Sequence, residues 1–167
     1  MNIAPEFEIN NGYTPGAIGR ITELHSTYYF DHWRFGLYFE AKVATELSEF
    51  LQRYDASRDG IWVATVNSRV EGSVAIDGIH AETKGAHLRW FIMSDALRGK
   101  GVGKQLINNA IGFCNIKGYK KTYLWTFEGL NAARHLYENA GFKLTKQQSG
   151  TQWGSMVKEQ LFELIHE

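Results

Sequence analysis

A glycine-rich turn is the densest chemical signal in the chain. Residues 98 to 104 read RGKGVGK, between a strand-like segment and a helix-like segment. Glycine has no Cβ atom, so backbone N–H groups can approach an anion closely, and a helix N-terminus adds about half a positive charge. The pattern predicts a phosphate-binding turn. The simpler interpretation is a glycine turn that only joins a strand to a helix.

The charges around this turn favour an anionic ligand. Between Ala96 and Phe127 the chain has no aspartate or glutamate. The whole chain is nevertheless neutral, with 18 Lys+Arg and 18 Asp+Glu, so the excess of base is local to this segment. This local excess of base predicts a polyanionic partner. The basic residues of the segment are Arg98, Lys100, Lys104, Lys117, Lys120 and Lys121.

Spacing excludes two common phosphate motifs. A mononucleotide P-loop has a glycine, four residues and then Gly-Lys-Ser/Thr, but Arg98 stands at the first position and Gln105 follows Lys104. A dinucleotide fingerprint needs a third glycine where Lys104 stands, and an acidic residue about 20 positions later. The sequence has neither feature.

The sequence does not favour a cysteine nucleophile, a serine nucleophile or a metal site. The single cysteine, Cys114, has no partner for an internal disulfide and lies on the apolar stripe of a predicted helix, which favours a core residue. There is no Gly-x-Ser-x-Gly nucleophile elbow. The histidines show no paired metal-ligand spacing, so no metal site is predicted.

Hydrophobic periodicity predicts the elements around the turn. Apolar residues recur at steps of three and four from Leu37 to Tyr54 and from Val102 to Gly118, which predicts two amphipathic helices. The runs at 61–66 and 70–76 predict a hairpin. Further strands are expected at 86–93, 121–127, 142–147 and 157–165, and a short helix at 131–140.

The N-terminal part is interpreted differently. Turn residues from Asn10 to Gly16 follow a polar start, Ala17 to Leu24 is predicted as the first strand, and His25 to Phe35 is ambiguous, with a short helix as one interpretation. Together the elements predict a mixed sheet with helices and a β-α-β crossover in the middle.

Size and composition predict one domain over residues 1–167. The chain has 167 residues, 44% hydrophobic and 22% charged, which is typical of a globular protein and not of a disordered one. A net charge of zero argues against nucleic acid as a partner. No apolar run reaches the roughly 18 residues of a membrane span, and Glu6 and Glu8 stand where a signal peptide is apolar, so we expect a cytoplasmic protein without membrane contact.

Three segments in the right order resemble the GNAT N-acetyltransferase superfamily. Arg98, Gly101 and Gly103 match the family's Arg-x-x-Gly-x-Gly motif. The strand residues at 91–93 stand where the family holds pantetheine, and the segment at 131–142, NAARHLYENAGF, is similar to a family segment that contains an asparagine, a tyrosine and Gly-Phe.

A closer resemblance is to the GNAT domains found fused behind MarR-type DNA-binding domains. We expect no helix-turn-helix before Gly16, so the regulatory DNA role of those fusions is not implied here. The similar segments are 19–21 with His25 and Tyr28, 39–44, 88–91, 124–127, 152–154 and 158–160.

The resemblance implies a fold and an activity. The fold is α/β (α+β), with a mixed, mostly antiparallel sheet of about six to seven strands and about four helices on both faces. The activity is transfer of the acetyl group of acetyl-CoA, the co-substrate, to a primary amine of a small molecule or protein, by direct attack in a ternary complex and without a metal. A non-catalytic acyl-CoA-binding sensor is the alternative, and a nucleotide-binding module of another class is a third hypothesis. The protein either forms a homodimer or remains a monomer, and the sequence does not distinguish the two.

The resemblance also implies the cofactor site and the proton donor. Tyr137 matches the tyrosine that protonates the departing thiolate, although its helical stripe also suits a core residue. Asn131 is interpreted as a helix N-cap, a pantetheine contact or both. The implied cofactor-binding residues are Phe91, Ile92, Met93, Arg98, Gly99, Lys100, Gly101, Val102, Gly103, Lys104 and Asn131.

Several residues are candidates for the general base and for the site that binds the acceptor amine. His87 lies where some family members have a catalytic glutamate, with Glu40, His25 or a water chain as alternatives, and both His87 and Glu40 also suit ordinary structural roles. Arg89 could bind an acceptor carboxylate or only pair with Glu40 or Asp95. Aromatic surface favours an apolar or cationic acceptor. The predicted acceptor-binding residues are His25, Tyr28, Tyr29, Trp33 and Arg89.

Overall fold

A single sheet of seven strands organises the chain, and the computed structural model describes residues 6–167. The strands are β1 (Phe7–Asn11), β2 (Gly60–Val66), β3 (Arg69–Asp77), β4 (Ala86–Met93), β5 (Lys121–Phe127), β6 (Lys143–Gly150) and β7 (Val157–Ile165). The helices are α1 (Ala17–Trp33), α2 (Leu37–Gln52), α3 (Val102–Lys117) and α4 (Asn131–Asn139), with a 3-10 turn at Asp95–Leu97.

The strand order is β1-β2-β3-β4-β5-β7-β6, and one neighbouring pair differs from all the others. Strands β4 and β5 are parallel, whereas the remaining neighbours are antiparallel. Their pairing covers only Ala86 with Thr122 and His87 with Tyr123. Beyond His87 the two strands diverge, which opens a gap in the middle of the sheet.

Alternating side chains assign the helices to opposite faces of the sheet. In a strand, successive side chains point to opposite faces. Trp62 and Val74 belong to the buried cluster that contains α3 residues such as Leu106. Their neighbours Val63 and Ala75 belong to the cluster that contains α1 and α2 residues. Helices α1 and α2 therefore cover one face, and α3 and α4 cover the other.

The structure confirms most of the predicted elements and corrects the N-terminal part. The predicted strand from Ala17 to Leu24 is wrong, because these residues form the first half of the helix that continues to Trp33. The β-branched residues Ile18, Ile21 and Thr22 favour a strand, but the burial along the segment follows a helical period. The buried positions include Ala17, Ile21, Leu24 and His25. The short helix expected after position 25 is the second half of the same helix.

Strand β1 was not predicted either. Its burial alternates along Phe7–Asn11, although the sequence suggested a polar start leading into a turn. The asparagines at its end pair with β2, where Asn11 lies opposite Trp62. The first five residues, on which part of the signal-peptide argument depends, lie outside the described residues. Within residues 6–167, no helix combines the length and apolar character needed to cross a membrane.

A chain of ion pairs ties α2 to the two central strands. Lys42 and Arg89 both contact Glu46, each with an N–O distance of 3.0 Å. Arg89 also lies 3.6 Å from Asp77, whose other partner is Arg53 at 2.6 Å. Charges thus alternate along five residues, and the chain fixes Arg89 on β4 between a helix and β3.

Asp77 is the buried member of this chain. Burial alone would raise the pKa of its carboxyl group, but hydrogen bonds from Arg53 and from the Ile79 N–H outweigh burial and leave the pKa below its ordinary value. A carboxyl group whose pKa is lower in the folded state stabilises the fold above its unfolded pKa of about 3.9. That contribution is lost as the pH falls through the folded-state pKa.

Asp77→Asn is therefore expected to lower the free energy of unfolding at pH 7 by about 1–3 kcal/mol, because hydrogen bonds to a charged group are lost. Urea unfolding between pH 7 and pH 3 measures the change, with the exposed Glu82→Gln as control. The difference from wild type should shrink as the pH falls below about 4. A difference that stays constant with pH, or is absent at pH 7, contradicts this assignment.

Candidate active site

The gap between β4 and β5 opens into a cleft of about 200 Å³. Residues of both strands line it, together with His25 and Tyr29 of α1, Glu46 of α2 and Tyr137 of α4. Gln152 and Trp153, from the connection between β6 and β7, complete the wall. Because α4 and α2 lie on opposite faces of the sheet, the cleft joins the two faces through the gap.

A β-bulge shapes the β4 side of the cleft. Ser73 pairs with Ile92, and Ala75 pairs with Arg89, so one residue of β3 lies opposite two residues of β4, Trp90 and Phe91. Trp90 has a φ of 50°, a left-handed conformation that costs about 1–3 kcal/mol in a residue other than glycine. Such bulges redirect side chains and peptide groups beside functional sites.

The glycine turn at the start of α3 is open toward solvent. Gly99 and Gly101 have φ angles of 76° and 71°, and a Cβ atom on either would meet no atom within 4 Å. Gly101 is the N-cap of α3, and no side chain caps the helix. The first helical hydrogen bond runs from the Gln105 N–H to the Gly101 carbonyl. The preceding N–H groups have no partner inside the helix, so this turn can accommodate a phosphate.

Gly103 has a different role from the two outer glycines. It is buried, and a Cβ atom there would lie 2.8 Å from Met93 Cε and 3.0 Å from Leu136 Cδ1. Glycine at this position therefore lets α3 pack closely against β4 and α4. A groove of about 290 Å³ runs between α3 and α4 next to the turn, lined by Lys104, Ile107, Asn108, Leu136, Asn139 and Ala140.

Tyr137 brings a phenol to the cleft from the α4 side. Its side chain is 6% exposed, and the ring packs against Phe91, Phe142 and Phe162 at centroid distances of 5.9, 6.1 and 6.2 Å. Burial, and to a smaller extent Tyr29, raises the pKa of Tyr137 well above its ordinary value. The phenol therefore keeps its proton at physiological pH and can donate it.

His25 presents a fixed hydrogen-bond acceptor. Its Nδ1 lies 2.8 Å from the Ile21 carbonyl oxygen, and since a carbonyl only accepts, Nδ1 carries the ring proton. Burial lowers the pKa of His25 to about 4, although the bond to Ile21 opposes this. The ring is neutral at pH 7, so Nε2 holds a free electron pair on a residue that lines the cleft.

His87 lies at the vertex of the gap, where the two strands still pair. Its ring stacks on Tyr123 with a centroid distance of 4.5 Å. Burial and the nearby Arg89 lower the pKa of His87 to about 3, against the opposing effect of Asp77. A base of that strength is poorly matched to an alkylammonium ion with a pKa of about 10.

The structure brings together only some of the predicted site residues. His25, Tyr29, His87, Arg89, Phe91 and Tyr137 line the cleft. Outside it, Glu40 is exposed on α2, and Tyr28 is exposed and packs against His32 with a centroid distance of 4.5 Å. Trp33 packs on Phe127 at 4.8 Å. These three lie beside the cleft wall, not in it.

Two predicted contacts are corrected. Arg89 pairs with Glu46 and Asp77 and not with Glu40 or Asp95, because the side chains of Glu46 on α2 and Asp77 on β3 lie within reach of its guanidinium group. Asp95 instead pairs with Arg98 at 2.6 Å on the surface. Asn131 is the first residue of α4, and the N-cap is Leu130, so the predicted N-cap role of Asn131 is wrong.

Sequence reasoning missed several residues of the cleft, above all Lys42 and Glu46. Both lie next to the buried stripe of α2 that contains Val43 and Leu47. Their spacing of four residues, directly beside that stripe, is the signal that could have identified them. Gln152 and Trp153 lie in the segment 152–154 that resembles the family, but the resemblance assigned them no role, and a loop between strands places them in the cleft.

The single cysteine, Cys114, is fully buried. Burial raises the pKa of the Cys114 thiol to about 11, in keeping with a core residue. Among residues 6–167, no group of three or more His, Cys, Asp or Glu side chains could hold a metal ion.

Comparisons with known proteins point to one family. The model of the acetyltransferase (GNAT) family matches residues 19–142. An uncharacterized N-acetyltransferase of Methanocaldococcus jannaschii is 29% identical over 125 residues, covering 72% of this chain and 54% of that protein. Another, from Escherichia coli K12, is 32% identical over 98 residues, covering 58% and 59%. The chain thus spans about half the length of the curated relatives it matches.

Solved structures share the fold. An acetyltransferase from Streptococcus agalactiae superimposes with a TM-score of 0.73 at 19% identity, covering 96% of this chain and 98% of that one. A Salmonella typhimurium protein solved with its cofactor acetyl-CoA gives 0.71 at 17% identity, covering 95% and 94%. With the split β4–β5 pair, the open glycine turn and the matched family model, the chain belongs to the GNAT acetyltransferase family.

Proposed function

We propose that the protein transfers the acetyl group of acetyl-CoA to a primary amine of a small molecule or protein, by direct attack in a ternary complex. The observation that supports this most is the gap between β4 and β5. It connects Tyr137, on one face of the sheet, with a cleft wall formed by α1 and α2 on the other. The glycine turn begins α3, which covers the same face as Tyr137. Two substrates can therefore approach each other from opposite faces.

The residues present fit acetyl-CoA, which supplies an acetyl group activated as a thioester. The N–H groups of residues 101 to 104 are the proposed partners of its diphosphate, because they lie at an uncapped helix N-terminus beside open space. Lys100 and Lys104 add positive charge at the same turn, whereas the charge of Arg98 is paired with Asp95. The unpaired edge of β4 from Phe91 to Met93 can hold the pantetheine amides by backbone hydrogen bonds.

Tyr137 is the proposed proton donor. As the amine nitrogen bonds to the acetyl carbon, the carbon–sulfur bond breaks and the sulfur takes the proton of the Tyr137 phenol. The nitrogen releases one of its own protons to solvent, and the phenolate recovers a proton from solvent. In water a phenol, with a pKa of about 10, is a weaker acid than a thiol, with a pKa of about 8.5. Burial in the cleft disfavours both the thiolate and the phenolate, so we assign the proton transfer to the same step as the breaking of the carbon–sulfur bond.

The acceptor must lose a proton before it attacks, and no strong base lies in the cleft. His25 and His87 are neutral and weakly basic. We assign His25 Nε2 as a hydrogen-bond acceptor that orients the neutral amine, while the ammonium proton leaves to water. We assign His87 a structural role: it stacks on Tyr123 at the point where β4 and β5 separate. Glu40, exposed outside the cleft, has no proposed part in the chemistry.

The cleft walls favour an acceptor amine with an apolar flank. Tyr29, Phe39, Trp90, Phe127 and Trp153 supply aromatic surface. At the other end Arg89 is already paired with two carboxylates, so its predicted capture of an acceptor carboxylate has no support from its contacts. Homodimer formation, the cytoplasmic location and the likeness to the MarR-fused domains stay predictions.

Tyr137→Phe is expected to lower kcat for acetyl transfer about 10²-fold, because the proton donor is lost, and to leave the affinity for acetyl-CoA within about twofold. Release of free CoA thiol across a panel of primary amines measures turnover, and calorimetry measures binding. Tyr13→Phe, at an exposed position, is the control. Equal losses in both quantities contradict the proposed role. Binding without thiol release from wild type, for every amine, would support the sensor instead.

Gly101→Asp is expected to abolish acetyl-CoA binding, because it places a carboxylate beside the proposed diphosphate site. Gly101→Asn is the matched control: asparagine has the same shape, tolerates a positive φ about as well and has no charge. It should retain binding within about tenfold, whereas the aspartate variant should lose at least about 100-fold. Calorimetric titration measures both. Equal affinities in the two variants would refute the placement of the diphosphate.

A further inference from the structure

A buried serine hydroxyl holds the bulge of β4. Ser73 of β3 is fully buried, and its Oγ donates a hydrogen bond to the Trp90 carbonyl oxygen at 2.7 Å. Trp90 is the bulge residue with positive φ. This side-chain bond therefore acts on the most unusual peptide group of the strand, next to Phe91 in the cleft wall.

The direction of this bond determines where the next N–H points. The peptide between Trp90 and Phe91 is trans, since the described chain has no cis peptide bond. In a trans peptide the C=O and N–H bonds point in opposite directions. The Trp90 C=O points toward β3, so the Phe91 N–H points away from β3 and toward the gap beside β5.

The alternation of side chains along β3 determines the face of the sheet toward which the Trp90 carbonyl and the Phe91 N–H point. Val74 points toward the α3 side, so its neighbour Ser73 points toward the α1 and α2 side. Because Ser73 Oγ donates a hydrogen bond to it, the Trp90 carbonyl oxygen is turned toward the same side. The Phe91 N–H is thereby turned toward the opposite side, where Tyr137 packs on the Phe91 ring at a centroid distance of 5.9 Å.

We propose that Ser73 is a positioning residue, which fixes the peptide between Trp90 and Phe91 so that the Phe91 N–H donates a hydrogen bond to the thioester oxygen of bound acetyl-CoA. The inference rests on the proposed function. Ser73 itself touches no substrate, because β4 lies between it and the gap. Its effect is to hold one donor in the direction where negative charge develops, which is the arrangement that stabilises acyl transfer.

Without the Ser73 hydroxyl, the peptide between Trp90 and Phe91 loses a hydrogen bond that fixes its orientation. A left-handed tryptophan persists only where its surroundings enforce it. Ser73→Ala removes the donor and leaves the Trp90 carbonyl free to rotate toward the gap. The Phe91 N–H would then turn away from the thioester.

The test is the infrared frequency of the thioester carbonyl of bound acetyl-CoA labelled with ¹³C in the acetyl group. A hydrogen bond to the carbonyl oxygen lowers this frequency, and the measurement needs no acceptor amine. Wild type should show a lower frequency than free acetyl-CoA, and Ser73→Ala should return it toward the free value with affinity within about twofold. Removing a comparable donor lowers kcat about 10²–10³-fold, and misdirecting one should lower it at least about tenfold.

Ser48→Ala is the matched control, because Ser48 Oγ also donates to a backbone carbonyl, that of Ala44 at 2.6 Å, but on α2 outside the cleft. It should leave the frequency unchanged. If Ser73→Ala does not fold, Ser73→Cys, which keeps a weak donor, should give an intermediate frequency. An unchanged frequency in a Ser73 variant that binds acetyl-CoA overturns the inference alone. Wild type that fails to bind acetyl-CoA overturns the proposed function and this inference with it.

Discussion

The loss of pairing between β4 and β5 beyond His87 is the constraint on which the site depends. Two parallel strands that stayed paired would give a closed sheet with no passage between its faces. Here only two residue pairs join them, and the strands then diverge. The backbone groups on the freed edges need other partners, since unpaired buried peptide groups are costly. A ligand with amide groups that lies between the strands would supply them.

The elements around the gap fix the position of β4, which forms one side of it. The bulge at Trp90 turns the edge of β4, and Ser73 holds that bulge by a hydrogen bond. The ion-pair chain from Lys42 to Arg53 fixes Arg89, the residue before the bulge, against α2 and β3. On the opposite face, Gly103 lets α3 approach β4 closely, so the open turn at the start of α3 lies next to the gap.

The sequence predicted those parts of the structure that depend on local patterns. The glycine turn, α2, α3 and the central strands have periodicity or spacing that identifies them without tertiary information. The strand predicted at 17–24 is wrong because β-branched residues favour a strand there, and only packing on the sheet reveals that these residues have helical burial. Arg89 was identified but given the wrong partners, since its pairing with Glu46 is a tertiary contact between α2 and β4 that no local pattern predicts. Ser73 had no local signal, because its importance comes from a contact across two strands.

A crystal structure of the protein with acetyl-CoA tests the central claim most directly. The account predicts that the diphosphate contacts the N–H groups of residues 101–104 and that the thioester lies between β4 and β5, with its oxygen near the Phe91 N–H. Coenzyme bound elsewhere on the molecule, or a gap filled by side chains while the coenzyme lies outside it, would contradict the account.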